Sequence, residues 1–211
     1  MKNPFYIHPD YSIVTIPRVG SHYLQERLWQ HTGAFIEKHH GMVEGKIITL
    51  ARDPKDLMTS DLAMNLFYKK EAEVDLFTTN FRIDAYADLY ESLLDSEIIV
   101  DYDDLILYPF ETTKAVANAL DIGIIDEEYE STLTDQPEIS HLVSSKNTDE
   151  YAFIQDFISQ CDLSRLYEIH NRMLSKAIDI NMLNVLCFDC GGMYKVNYGV
   201  PNPTKKCPKH S

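Results

Sequence analysis

Three groups of residues in this chain have the types and spacing to do chemistry. The stretch IVTIPRVGSHYLQERL, from Ile13 to Leu28, begins as an apolar strand, breaks at Pro17 and Gly20, and resumes as a helix. Where a strand feeds a small-residue turn and a helix begins, free backbone N–H groups and the positive end of the helix dipole converge on an anion. Gly20 keeps a Cβ out of the way, Ser21 and His22 present N–H groups, and Arg18 adds a cation. The turn is not a Walker A loop, because no lysine follows the glycine. A second group, Arg52 and Ser60 in ARDPKDLMTS, suits a phosphate monoester: a charge-assisted pair plus a neutral hydroxyl.

The third group lies at the C-terminal end. Cys187-x2-Cys190 and Cys207-x2-His210 are two knuckle-type pairs separated by residues 191–206, enough for a short hairpin. Four N/S ligands suit tetrahedral zinc, and the spacing predicts a zinc-ribbon-like element with Cys3His ligation. Four protein ligands leave no open position, so the metal is structural and replaces a core that so short a segment cannot build. Lys195, Lys205, Lys206 and Lys209 make the element locally basic, read as a solvated lysine face. Cys161 stands alone in a helical pattern and reads as a small buried hydrophobe.

These groups need elements to position them. SIVTI (12–16), KIITLA (46–51) and EIIVDY (97–102) are almost continuously apolar at their centres, as parallel strands covered on both faces are. SHYLQERLWQHT, DLMTSDLAMNLFY and NFRIDAYADLYESLLDS carry apolar residues at helical spacing, and PFETTKAVANALDI starts a further helix with proline in its first turn. Strands alternating with helices predict an α/β fold with a parallel central sheet flanked by helices. Residues 121–150 read as loops with a short helix, and EYAFIQDFISQ with DLSRLYEIHNRMLSKAI as a helical hairpin. A composition shift near Asn181 divides residues 1–180 from a small element at 181–211.

The chain of 211 residues suits one α/β domain and a small appendage, and its formal charge of −14 argues against a nucleic-acid-binding surface. The same acidity disfavours a heavily sulfated polymer as partner. With no signal-peptide pattern and no run of about 18 apolar residues, the expectation is a cytoplasmic protein with no membrane partner. Oligomeric state has no signature in the sequence.

In order and spacing, three segments resemble the sulfotransferases that use 3′-phosphoadenosine-5′-phosphosulfate, over roughly residues 11–121. Pro17-Arg18-Val19-Gly20-Ser21-His22-Tyr23 stands where that family has P-K-S-G-T-T-W; Arg52, Asp53, Lys55, Asp56 and Ser60 match its R-[ND]-x-K-D-x-x-x-S; and Tyr102, Asp103, Asp104, Leu105 and Pro109 match its Y-E-D-L strand end with a downstream proline. The resemblance implies a P-loop-like fold and that phosphosulfate donor as co-substrate. It also implies donor contacts from Arg18, Val19, Gly20, Ser21, His22, Tyr23, Arg52 and Ser60. Arg52 and Ser60 would take the 3′-phosphate, Tyr23 would stack on the adenine, and Arg18 would neutralise charge on the leaving phosphate. Arginine, valine and tyrosine at positions 18, 19 and 23 depart from the family pattern, and a C-terminal R-K-G-x-x-G segment is not found in the sequence. Taken singly, Gly20 reads as a tight turn, Arg52 as a partner of Asp53 or Asp56, and Ser60 as a helix-surface residue.

Sulfuryl transfer to a hydroxyl or amine needs a base near neutrality. By the resemblance, Lys38-His39-His40 falls on a K-T-H segment and His40 takes the catalytic place. His39 is an alternative that points oppositely in an extended segment, Glu37 is another, and two exposed loop histidines are the ordinary reading. His8, His31, His141 and His170 read as surface or packing residues. Phe67, Tyr68, Phe77 and Phe81 divide between the core and an acceptor pocket for a small molecule or glycan. Two other functions fit less of the chain: a nucleotide or small-molecule kinase, and a non-catalytic nucleotide-binding adaptor that uses its zinc ribbon.

Overall fold

The computed structural model describes residues 6–66, 75–123 and 149–180, and the strands 182–186 and 193–197. The first crossover runs from β1 (Tyr6–Val14) through helix α1 (Ser21–Thr32) to β2 (Ala34–His39). The chain then passes to the other side of β1 to form β3 (Lys46–Ala51), followed by α2 (Pro54–Met64), α3 (Leu76–Ser92) and β4 (Ile98–Asp101). All pairs are parallel and the spatial order is β2-β1-β3-β4, so the chain reverses direction between β1 and β3. In such sheets the crevice beyond the carboxyl ends of the two strands at the reversal is where ligands bind. Arg18 follows β1 and Arg52 follows β3, so both lie beyond those ends.

Burial explains the sheet. Ile13, Ile48, Leu50 and Ile99 are fully or almost fully buried between the helices on the two faces, joined by Leu24 and Leu28 of α1 and Leu57 and Met58 of α2. Tyr90 of α3 is also fully buried, and its hydroxyl accepts a hydrogen bond from the Arg52 N–H at 3.1 Å, fixing the end of β3. A short helix α4 (Tyr102–Leu107), then α5 (Pro109–Ala119) and the pair α6 (Asp149–Ser159) and α7 (Ser164–Leu174) complete the layers, α6 against α2 and α7 against α3. The antiparallel strands β5 (Met182–Leu186) and β6 (Met193–Asn197) form a separate two-stranded sheet.

Several expectations shift. β2 is not among the apolar runs, because it is an edge strand that alternates: Ala34 and Ile36 are buried while Glu37 is exposed. The first strand begins at Tyr6, with a register irregularity between Ile7 and Ser12, and ends at Val14, leaving Thr15 and Ile16 in the turn. β4 stops at Asp101, whose carboxylate caps α4 through the Asp103 N–H, so Tyr102 opens a helix. Phe77 and Phe81 are 84% and 70% exposed, so the core reading fails for both. His31 and His170 are buried and serve packing as expected, His31 edge-on to Phe110. Cys161 is half-buried, packs against the main core and donates to the Phe157 carbonyl. Phe67, Tyr68, His141, Cys187, Cys190, Cys207 and His210 lie outside the described residues. The observed hairpin is β5 with β6, and the first cysteine pair falls in its connection.

Candidate functional site

The turn between β1 and α1 is left-handed twice, at Arg18 (φ 72°) and Gly20 (φ 84°). Glycine adopts that geometry freely; for arginine it costs about 1 kcal/mol or more and needs support. The support comes from the second motif: Arg52 Nη1 donates to the Arg18 carbonyl oxygen at 2.5 Å. Arg52 is only 6% exposed, its guanidinium lies 4.4 Å from the centre of the Tyr102 ring, and its Nε is buried without a hydrogen-bond acceptor. Tyr102 in turn packs on Gly20, where a Cβ would lie 2.8 Å from Tyr102 Cε2. Turn, arginine and tyrosine thus form one stacked unit drawn from three segments.

Val19 is fully buried in the main core, so it anchors the turn and can offer a ligand only its backbone. Ser21, the first residue of α1, is buried; the helix has no side-chain cap and no acid in its first turn, which leaves its first N–H groups for a ligand. Tyr23 is half-buried, accepts a hydrogen bond from Arg27 Nη2 at 2.9 Å, and has the Arg27 guanidinium 5.0 Å from its ring centre. In the second motif Asp53 caps α2 by accepting from the N–H groups of Lys55 and Asp56, and Pro54 occupies the first turn. Ser60 is buried on α2. The Tyr167 hydroxyl reaches Asp53 at 3.4 Å, tying α7 to this corner.

The histidine segment is held by contacts on both sides of β2. His40 Nδ1 lies 3.0 Å from the Thr15 carbonyl oxygen. A carbonyl only accepts, so Nδ1 carries a proton, and the neutral form of the ring is the tautomer with its lone pair on Nε2. The Thr15 N–H donates to the His39 carbonyl, so Thr15 grips the segment on both sides. His39 Nε2 is 3.8 Å from Glu37 Oε2, a contact open to strand neighbours two residues apart on one face. Lys38 Nζ is 2.6 Å from His22 Nε2 on α1. His22 is exposed overall, but desolvation of its ring, followed by the Lys38 ammonium and by His40 when protonated, holds its pKa below the ordinary histidine value; Glu26 opposes this and Arg18 adds to it. Burial also lowers the Lys38 pKa. A groove of about 390 Å³ between α1 and the edge strand is lined by Gln25, Phe35, Glu37, Lys38 and His39.

No family model and no curated protein matches the chain. Among solved structures it is similar to a mouse sulfotransferase, SULT7A1 complexed with PAP, at 15% identity and a TM-score of 0.48, over 79% of this chain and 83% of that one.

The structure brings Arg18, Gly20 and Arg52 together, and His22, Lys38 and His40 around the start of α1. Glu37 and His39 pair with each other instead. Two participants escape a reading of the sequence, Tyr102 as a stacking partner and Lys38 as a partner of His22. The strand-end motif marks the first, and the Lys-His-His run marks the second. Around the arginine, Asp103 has its carboxyl pKa raised by burial and then by Asp101, Asp56 and Asp53, with Arg52 opposing. Among the described residues no group of three or more metal-binding side chains occurs, and no helix is long and apolar enough to cross a membrane.

Proposed function

We propose that the protein is a sulfotransferase that moves a sulfuryl group from 3′-phosphoadenosine-5′-phosphosulfate to a hydroxyl or amine of a small-molecule or glycan acceptor. The observation that carries this reading is the bond from Arg52 to the Arg18 carbonyl, which makes one unit of two anion-binding motifs 34 residues apart. The N–H groups at Ser21, His22 and Tyr23, with the Arg18 side chain, suit the 5′-phosphosulfate end. Arg52 keeps further N–H donors for the 3′-phosphate, with Ser60 as its hydroxyl partner. Val19 serves through its backbone, and Tyr23 flanks the adenine.

His40 acts as the base. Its Nε2 takes the acceptor proton as the acceptor atom bonds to sulfur, and the sulfur–oxygen bond to the 5′-phosphate breaks. Arg18 offsets the charge left on the departing 3′-phosphoadenosine-5′-phosphate. The Nδ1 hydrogen bond to Thr15 supports this role because it holds the ring in the tautomer whose Nε2 is bare. Cys187, Cys190, Cys207 and His210 would hold a structural zinc; their donor set fits it, and β5 and β6 bracket the first pair.

Calorimetry with 3′-phosphoadenosine-5′-phosphate tests the donor site, and transfer of labelled sulfate to an acceptor panel tests the reaction. His40→Ala is expected to bind the nucleotide as wild type does while losing about a hundredfold or more in transfer. Absence of nucleotide binding overturns the reading; binding without transfer across the panel favours a nucleotide-binding adaptor, and magnesium-dependent ATP turnover favours a kinase.

A further inference from the structure

The contact between Lys38 and His22 joins the edge strand to the first turn of α1, a helix with no side-chain cap. At 2.6 Å this is a hydrogen bond, and its direction follows from the chemistry. An ammonium has only hydrogens to offer, so His22 Nε2 accepts and His22 Nδ1 carries the ring proton. Protonating Nε2 would replace this bond with two opposed cations. We propose that His22 is a positioning residue: its neutral ring holds the Lys38 ammonium at the mouth of the β1–α1 turn, where that charge meets the transferring group, and releases it on protonation.

This rests on the sulfotransferase reading for the identity of the transferring group, but the pairing itself does not. The groups facing His22 are Lys38 and His40 from the edge-strand side, Arg18 from the turn, and Glu26 one helical turn along α1. Three of these four are cationic or can become so, in a chain of net charge −14, so the neutral form of His22 is the form the site favours. In that form a histidine is an acceptor on a rigid helix, which spares a flexible lysine part of the cost of being ordered as the reaction proceeds. Below the His22 pKa the ring turns from acceptor to competitor. Transfer therefore acquires an acid limb that belongs to His22.

The test combines nuclear magnetic resonance and kinetics on the full chain. In the wild-type protein the His22 ring nitrogens should show the Nδ1–H tautomer, and Lys38→Met should raise the pH at which His22 titrates. With 3′-phosphoadenosine-5′-phosphosulfate as donor, His22→Leu should lower kcat by about tenfold or more with little change in the donor KM. His22→Gln, whose Oε1 can accept from Lys38 without titrating, should recover most of that loss and lack the acid limb due to His22. A His22 titration indifferent to Lys38→Met overturns the pairing. Equal loss in the Leu and Gln variants, or none in Leu, overturns the positioning role while leaving sulfuryl transfer intact. An intact pairing signature in a protein that transfers nothing overturns the sulfotransferase reading and the role given to Lys38.

Discussion

Arg52 Nη1 donates a hydrogen bond to the carbonyl oxygen of Arg18, a residue held in left-handed backbone geometry. The arginine at the end of β3 thereby shapes the turn at the end of β1, and a loss at position 52 is felt in both halves of the site. Arg52→Ala should weaken binding of 3′-phosphoadenosine-5′-phosphate strongly and also lower unfolding stability by about 1.5–3 kcal/mol, the usual worth of a hydrogen bond to a charged group. Arg52→Lys should rescue little, because an ammonium cannot stack on Tyr102 and reach the carbonyl in the same planar geometry. Calorimetry and chemical denaturation measure the two effects separately.

Gly20 is constrained by its neighbour as well as by its own backbone. A Cβ there would sit 2.8 Å from Tyr102 Cε2, at a residue whose φ is 84°. Gly20→Ala should destabilise the protein by about 1–3 kcal/mol. Adding Tyr102→Ala should relieve the clash but not the backbone cost, so a double-mutant cycle should show a coupling of roughly 0.5 kcal/mol or more.

Two buried histidines set an acid limit on stability. His31 has its pKa lowered by burial and then by Arg27; His170 has its pKa lowered by burial, opposed by Asp53, Asp101 and Asp103. In the unfolded chain both titrate near the ordinary value of 6.5. Below that pH the unfolded state binds more protons than the folded one, so stability present above 6.5 falls as pH drops toward the folded pKa values. Asp103 and Asp104 act in the opposite sense at lower pH. Their folded pKa values are raised, first by burial, so their contribution is full below 3.8 and is lost as pH rises through the folded values. Denaturation midpoints between about pH 5 and 8 should rise with pH, and His170→Gln should flatten part of that slope.

Metal analysis of protein purified without added metal should find about one zinc per chain if Cys187, Cys190, Cys207 and His210 act together. Chelation should then unfold the C-terminal element and leave the α/β core folded. A metal-free protein with four freely titrating sites would send these residues back to ordinary thiols and an ordinary imidazole.

The local chemistry was legible in the linear order. KIITLA forms the strand it suggested, Pro109 opens a helix, and the break at Pro17 and Gly20 is the turn between strand and helix. These are short-range effects, set by backbone freedom and side-chain periodicity within a few residues. The edge strand was not, because only one of its faces is buried and its Glu37-Lys38-His39 stretch reads as polar. Which histidine carries its proton toward a backbone carbonyl, that Lys38 meets His22, and that Arg52 braces Arg18 while stacked on Tyr102 depend on parallel strands placed side by side, β2 and β3 flanking β1. Those pairings join residues 16 to 34 positions apart and across separate elements. The sequence by itself determined the residue types and the turns that could bind an anion; only the tertiary structure decided which donors converge, because convergence is a property of sheet order and register rather than of local propensity.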